Sequence, residues 1–155
     1  MFPAKRIPTL ETKPFPLTKG NSVSENPDID FTVIVNPQSG PGSSQYPSNL
    51  YVSAIQNLTG FRNVKTIGYV PTTYATRDIN AVLKDIQTYS GWSSYTNSRN
   101  NRNNRKSIAV SGIFFDESPH NYTPEATQYL KTINKAVKAA TGLQNSRTVR
   151  KPNTT

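Results

Sequence analysis

The residues of this 155-residue chain best placed to do chemistry are the adjacent carboxylates Asp116 and Glu117. They follow the apolar run Ile108-Ala109-Val110-Ser111-Gly112-Ile113-Phe114-Phe115, which reads as a buried strand, so they stand where that strand leaves the sheet. Hydrophobic walls beside a carboxyl raise its pKa, and a raised pKa suits a general acid that protonates a leaving-group oxygen near neutral pH. Neighbouring strand residues point to opposite faces, so the two carboxylates need not share one role. An ordinary polar strand exit is the alternative. Tyr69, Tyr74 and Trp92 are aromatics able to stack on a sugar ring, with core or rim packing as the plainer use. The loop Asn36-Pro37-Gln38-Ser39-Gly40-Pro41-Gly42 also follows a strand. It lacks the spacings of a nucleotide-binding loop and can line a cleft or simply turn. His120 reads as a loop residue.

Three strand–helix pairs must position these groups. The strands are Phe31 to Val35, Val64 to Val70 and Ile108 to Phe115. After the first, Leu50, Tyr51, Ala54, Ile55 and Leu58 repeat at helical spacing. Ile79, Val82, Leu83 and Ile86 mark a second helix, and Ala126, Leu130, Ile133, Val137 and Ala140 a third. Thr123 can cap the third, with Pro124 at its first position and Gly142 as its stop. Strands alternating with amphipathic helices predict parallel β-α-β units. Chemistry in such folds gathers where strands end, which points to Asn36, to Tyr69 through Tyr74, and to Asp116 with Glu117.

Composition narrows the function classes. With no cysteine and one histidine, disulfides, thiolate nucleophiles and multi-histidine metal sites are excluded, and no cofactor is expected. The net charge is +9, spread over the tract with Arg99, Arg102, Arg105 and Lys106, a helix face with Lys131, Lys135 and Lys138, and a tail with Arg147, Arg150 and Lys151. The Asn/Arg tract carries no interleaved aromatic, so no nucleic-acid partner is expected. No run approaches the roughly 20 apolar residues of a membrane span, and the N-terminus shows no signal-peptide core. Residues 1–30 read as a Pro-rich extended arm, 31–142 as the folded domain, and 143–155 as a disordered basic tail.

Taken together, Val33-Ile34-Val35-Asn36-Pro37-Gln38-Ser39-Gly40-Pro41-Gly42, Ile67-Gly68-Tyr69-Val70-Pro71-Thr72-Thr73-Tyr74, Tyr89-Ser90-Gly91-Trp92 and Gly112-Ile113-Phe114-Phe115-Asp116-Glu117-Ser118-Pro119 resemble the spherulation-specific family 4, the spherulin-4-like glycoside hydrolases. The resemblance implies a (β/α)8 TIM barrel, of which about three units fit in this chain, since a whole barrel takes about 250 residues. It implies endo-cleavage of α-1,4-linked, N-acetylgalactosamine-containing fungal polysaccharide (galactosaminogalactan) without a metal. It further implies a monomer that is secreted or held at the cell surface. By the same resemblance the family's acidic pair falls on Asp116 and Glu117, and Asn36 and Tyr69 line the cleft; on the hydrolase reading Glu117 is the general acid and Asp116 either a partner that tunes it or a second catalytic carboxylate. The family's first strand should precede Phe31, where the arm does not read as one, and a further catalytic glutamate belongs to a later strand.

The expectation is therefore an incomplete copy, active only with the missing strands; the alternative is a non-catalytic carbohydrate-binding remnant that uses Tyr69, Tyr74 and Trp92. A less favoured third reading is a basic protein that holds polyanions, with binding that falls steeply with salt. An open barrel leaves strand edges and apolar faces uncovered. Expressed by itself, the chain should therefore be poorly soluble or partly molten. A sharp cooperative melt from a soluble monomer would contradict this.

Overall fold

The computed structural model describes residues 9–10, 21–96 and 107–143. The basic loop expected over Arg99 to Lys106 and nearly all of the expected tail lie outside them. Strand β1 (Thr9–Leu10) and a short helix α1 (Asn21–Ser24) precede β2 (Phe31–Val35). Then follow α2 (Asn49–Leu58), β3 (Val64–Pro71), α3 (Ile79–Gly91), β4 (Ile113–Asp116) and α4 (Pro124–Ala139). The four strands form one sheet in the order β1-β2-β3-β4, and every pairing is parallel. This is the α/β architecture of a partial (β/α)8 barrel, with three strand–helix units from β2 to α4.

Two details differ from the sequence reading. Thr9 and Leu10, inside the segment read as an arm, pair with Ile34 and Val35. A pair of residues carries no periodicity, so only the neighbouring strand reveals it. The third strand is also shorter than its apolar run, beginning at Ile113 rather than Ile108. Ile108, Ala109 and Val110 are buried, and the Ser111 and Gly112 main chains still bond to β3 at Thr66 and Gly68. Burial, not strand geometry, explains the apolar run.

The register divides the sheet into two faces. Val33, Val35, Gly68, Val70, Ile113 and Phe115 share one of them. It packs against the helices in a core with Val52, Ile55, Val82, Ile86, Tyr89, Trp92, Ile108, Val110 and Ile133. The predicted cap of α4 is present: the Thr123 side chain accepts from the Ala126 N–H at 3.1 Å, with Pro124 opening the helix. Gly142 lies beyond the end of α4, where a Cβ would collide with the Ser90 carbonyl, so close approach rather than the helix stop demands glycine there. Lys131, Lys135 and Lys138 are exposed, as a solvated helix face requires.

Tyr89 of α3 is the central packing element. Its ring lies over Gly68, where a Cβ would come within 2.7 Å of ring carbons. Its hydroxyl donates to the Val35 carbonyl at 2.9 Å and accepts from the Tyr69 N–H at 3.2 Å. Gly68→Ala is expected to cost about 1–3 kcal/mol by overpacking. Urea unfolding reads this as a lower midpoint, and an unchanged midpoint would contradict it.

Candidate functional site

Parallel strands place their C-terminal ends on one edge of the sheet, and the loops leaving that edge carry the candidate residues. Asn36 follows β2, Tyr69 lies near the end of β3 with Tyr74 in its exit loop, and Asp116 ends β4. Pairing of Tyr69 with Phe114, and of Pro71 with Asp116, puts these four residues on the face opposite the helical core. The Tyr69 and Phe114 rings lie 6.3 Å apart.

Tyr69 and Asp116 form the polar centre. The Tyr69 hydroxyl donates to Asp116 Oδ2 at 2.8 Å, and the Glu117 N–H donates to Asp116 Oδ1 at 2.8 Å. With both oxygens accepting, the Asp116 carboxylate is held in one orientation. Partial burial, then the hydrogen bond to Asp116 and the nearby carboxylate charges, push the Tyr69 phenol up to about 12. Glu117 is exposed, so the described residues do not supply the apolar walls expected around it. A residue leaving a strand stays at the rim unless another element covers it.

Glu117 adopts φ +52°, in the left-handed region that a side chain with a Cβ seldom occupies. In the facing loop Thr73, Tyr74 and Ala75 also have positive φ, at 47°, 55° and 66°. Such residues cost about 1–3 kcal/mol each and persist where surrounding bonds fix them. Here the bonds come from the β3 exit. The Thr72 N–H donates to the Asp116 carbonyl at 2.9 Å, and the Tyr74 N–H to the Glu117 carbonyl at 2.6 Å. The Thr72 hydroxyl, fully buried, points its proton at the same two carbonyls, 3.0 Å from Asp116 O and 2.8 Å from Glu117 O. Arg77 braces this loop from behind: its guanidinium donates to the Pro71 carbonyl at 3.1 Å and pairs with Asp85 at 2.8 Å.

The remaining candidates divide. Tyr74 is half exposed at the rim, its ring 5.5 Å from that of His120, which brings the lone histidine to the same edge. Asn36 lies at the end of β2, and its side-chain oxygen accepts from the Gly40 N–H at 2.9 Å. It thus closes the glycine-containing loop, in which Gly40 (φ 142°) and Gly42 (φ 90°) take conformations open to glycine. Trp92 is not at the edge. It is fully buried in the core, its ring 4.7 Å from Tyr89 in an edge-on contact, so it offers no face to a sugar. An aromatic just past an amphipathic helix continues that helix's apolar side, and packing claims it. Thr72 was not singled out in the sequence; its one signal there is a position between Pro71 and the aromatic Tyr74 in a strand exit.

A hollow of about 510 Å³ is lined by the loop from Gln38 to Gln45 together with Arg77, Ala81, Lys84, Asp85 and Thr88. Neither Asp116 nor Glu117 lines it, so the acidic pair sits on the open edge of the sheet and not in that hollow. No helix among the described residues is long and apolar enough to cross a membrane.

Comparison with known proteins places these features in a family. Residues 16–154 match the family model of spherulation-specific family 4. Spherulin-4 of Physarum polycephalum is 30% identical over 118 residues, which are 76% of this chain and 30% of that protein. Among solved structures, the chain is similar to Aspergillus clavatus Sph3, whose crystal structure is in complex with GalNAc. The TM-score is 0.73 and the identity 39%, over 84% of this chain and 49% of that one. The chain therefore spans about a third of the first relative and half of the second.

The Tyr69 environment gives a measurable consequence. A phenol raised from 10.0 to about 12 is favoured in its neutral form by the fold. Its contribution to stability is complete below pH 10 and is lost as pH rises towards about 12. In an alkaline titration followed by tyrosine absorbance, the difference between the chain and Tyr69→Phe should show one ionisation with a midpoint near 12. A midpoint near 10 would contradict the half-buried, bonded phenol.

Proposed function

We propose that this chain, which belongs to spherulation-specific family 4, is a carbohydrate-active protein of the glycoside hydrolase type that acts on α-1,4-linked, N-acetylgalactosamine-containing polysaccharide. The observation that carries the reading is the emergence of Asp116 and Glu117 from β4 onto the edge shared by Asn36, Tyr69 and Tyr74. It occurs in a chain 39% identical to a protein crystallised in complex with GalNAc. Glycoside hydrolysis needs an acid at the leaving oxygen and a second carboxyl group across the scissile bond, about 5 to 9.5 Å away. Glu117, exposed at the edge, takes the acid's role. Asp116, fixed by Tyr69 and by the Glu117 N–H, is the partner that orients it and offsets positive charge developing on the sugar. Tyr74 supplies a ring for stacking, and Asn36 shapes the adjoining loop. Trp92 is left out of the site because the core holds it.

The carboxyl group across the bond belongs, in this reading, to a strand beyond those described, so turnover requires the rest of the barrel. Residues 31–142 are read as the barrel portion, 1–30 as an arm that lends β1 to the sheet, and 143–155 as a tail. The setting is extracellular or at the cell surface, where such a polymer is found.

The test is endo-hydrolysis of purified galactosaminogalactan by the chain joined to the remaining strands of its barrel, with and without Glu117→Gln. General acid catalysis contributes typically 10²–10⁴-fold, so the variant should lose at least about 100-fold in rate. Polymer binding without product release, weakened by Tyr74→Ala and kept in Glu117→Gln, would mean a carbohydrate-binding role instead. Neither binding nor cleavage would sink both readings.

A further inference from the structure

We infer that Thr72 is a positioning residue for the acidic pair: its buried hydroxyl holds the Asp116–Glu117 main chain in the conformation that presents both carboxylates at the sheet edge. The inference rests on the site reading given above for Glu117 and Asp116, and it concerns a residue that touches neither the sugar nor the reacting atoms.

Three observations converge on it. First, Thr72 is 0% exposed, one of two buried polar residues among those described. A hydroxyl removed from water must find a partner in the protein, and it constrains whatever it finds. Second, its partners are the carbonyls of the two residues that carry the proposed chemistry, at 3.0 and 2.8 Å, while its own N–H takes the Asp116 carbonyl as well. One residue of β3's exit thus grips both peptide units at β4's exit. Third, the gripped segment is strained: Glu117 stands at φ +52°. A glutamate released from such a grip relaxes to negative φ, because its Cβ crowds the main chain in the left-handed region.

Relaxation has a direct effect on the site. Rotating Glu117 about φ swings its side chain relative to β4. Loss of the hydroxyl from the Asp116 carbonyl also loosens the Asp116–Glu117 peptide plane, which carries the Glu117 N–H that donates to Asp116 Oδ1 at 2.8 Å, and so weakens one of that carboxylate's two anchors. The remaining anchor, the Tyr69 hydroxyl on Oδ2, fixes one oxygen and leaves rotation about it open. A single buried hydroxyl therefore sets the relative placement of the two carboxylates, on which both the acid's reach and the partner's charge depend. Displacements of about 1 Å in such groups lower turnover by as much as 10²-fold.

The experiment compares Thr72→Val, which keeps the shape and removes the hydroxyl, with Thr72→Ser, which keeps the hydroxyl and removes a methyl. Two readouts are taken well below each variant's melting temperature. One is the Glu117 backbone conformation, from NMR or a crystal structure. The other is the kinetics on an α-1,4-linked N-acetylgalactosamine polymer, with the remaining strands of the barrel present. Thr72→Val should move Glu117 out of the left-handed region and lower kcat about 10- to 100-fold with little change in KM. Thr72→Ser should restore both. A hydroxyl serving stability alone would lower the melting temperature in Thr72→Val while Glu117 and kcat stay as they are, and that result overturns the inference, as does failure of Thr72→Ser to restore them. If Thr72→Val does not fold, Thr72→Ala removes the same hydroxyl without placing a methyl against the carbonyls and is judged by the same outcomes. If the unsubstituted protein with its barrel complete neither binds nor cleaves the polymer, the hydrolase reading fails, and the Glu117 conformation in the variants decides the positioning role by itself.

Discussion

The structure depends on the contact between Tyr89 and Gly68. Helix α3 can lie close over β2 and β3 only because residue 68 has no side chain to hold the ring away. The hydroxyl then completes two main-chain groups near the ends of those strands, the Val35 carbonyl and the Tyr69 N–H. Hydrogen bonds to otherwise buried main-chain groups contribute about 1 kcal/mol each in net terms, and more is lost when a partner is left unpaired. One aromatic thereby sets the spacing of α3, β2 and β3 at the end of the sheet where function is read. Asn36 is the next residue after Val35, and Tyr69 is the next after Gly68. The site's geometry begins in the core.

From there the constraint passes outward in steps. Tyr69 leaves the sheet on the face away from α3 and reaches Asp116. Pro71 and Thr72 carry β3 into an exit loop whose main chain is bonded to that of β4's exit. Arg77 ties the loop back to α3 through Asp85, and Tyr129 of α4 donates to the Arg77 carbonyl at 3.0 Å. Every helix following β3 and β4 therefore holds the loops at the sheet's end. Left-handed conformations at Thr73, Tyr74, Ala75 and Glu117 are tolerated there because their peptide groups have few other places to go. Among the described residues one other non-glycine position shares this conformation, Ser39 at φ 47° in the loop that Asn36 closes, so the strain gathers in the loops at this edge of the sheet.

The two faces of the sheet have different duties. The face with Val33, Val35 and Val70 is closed by helices and supplies most of the buried apolar surface. The opposite face, with Ile67, Tyr69 and Phe114, is only partly covered by the described residues. In a (β/α)8 barrel that second face points to the barrel's interior, where side chains from other strands fill it. The chain's share of its relatives' length, 30% in one case and 49% in the other, accords with a sheet that has one finished face and one unfinished.

The sequence by itself determined the alternation of strands and helices, the capping of α4 by Thr123, and the position of the acidic pair at a strand's end. Each of these is written in local pattern: apolar period, cap residue, and polarity just after a β-branched or aromatic run. It did not determine β1, because two residues have no period, nor the true start of β4, because burial and strand geometry leave the same apolar signature. Tertiary structure decided the rest. Trp92, a plausible sugar platform in the sequence, went to the core because α3 carries it beneath Tyr89. Thr72, an unremarked hydroxyl, became the buried link between two strand exits. Which polar atoms meet across a sheet is fixed by register and strand order, and neither has a local trace in the chain.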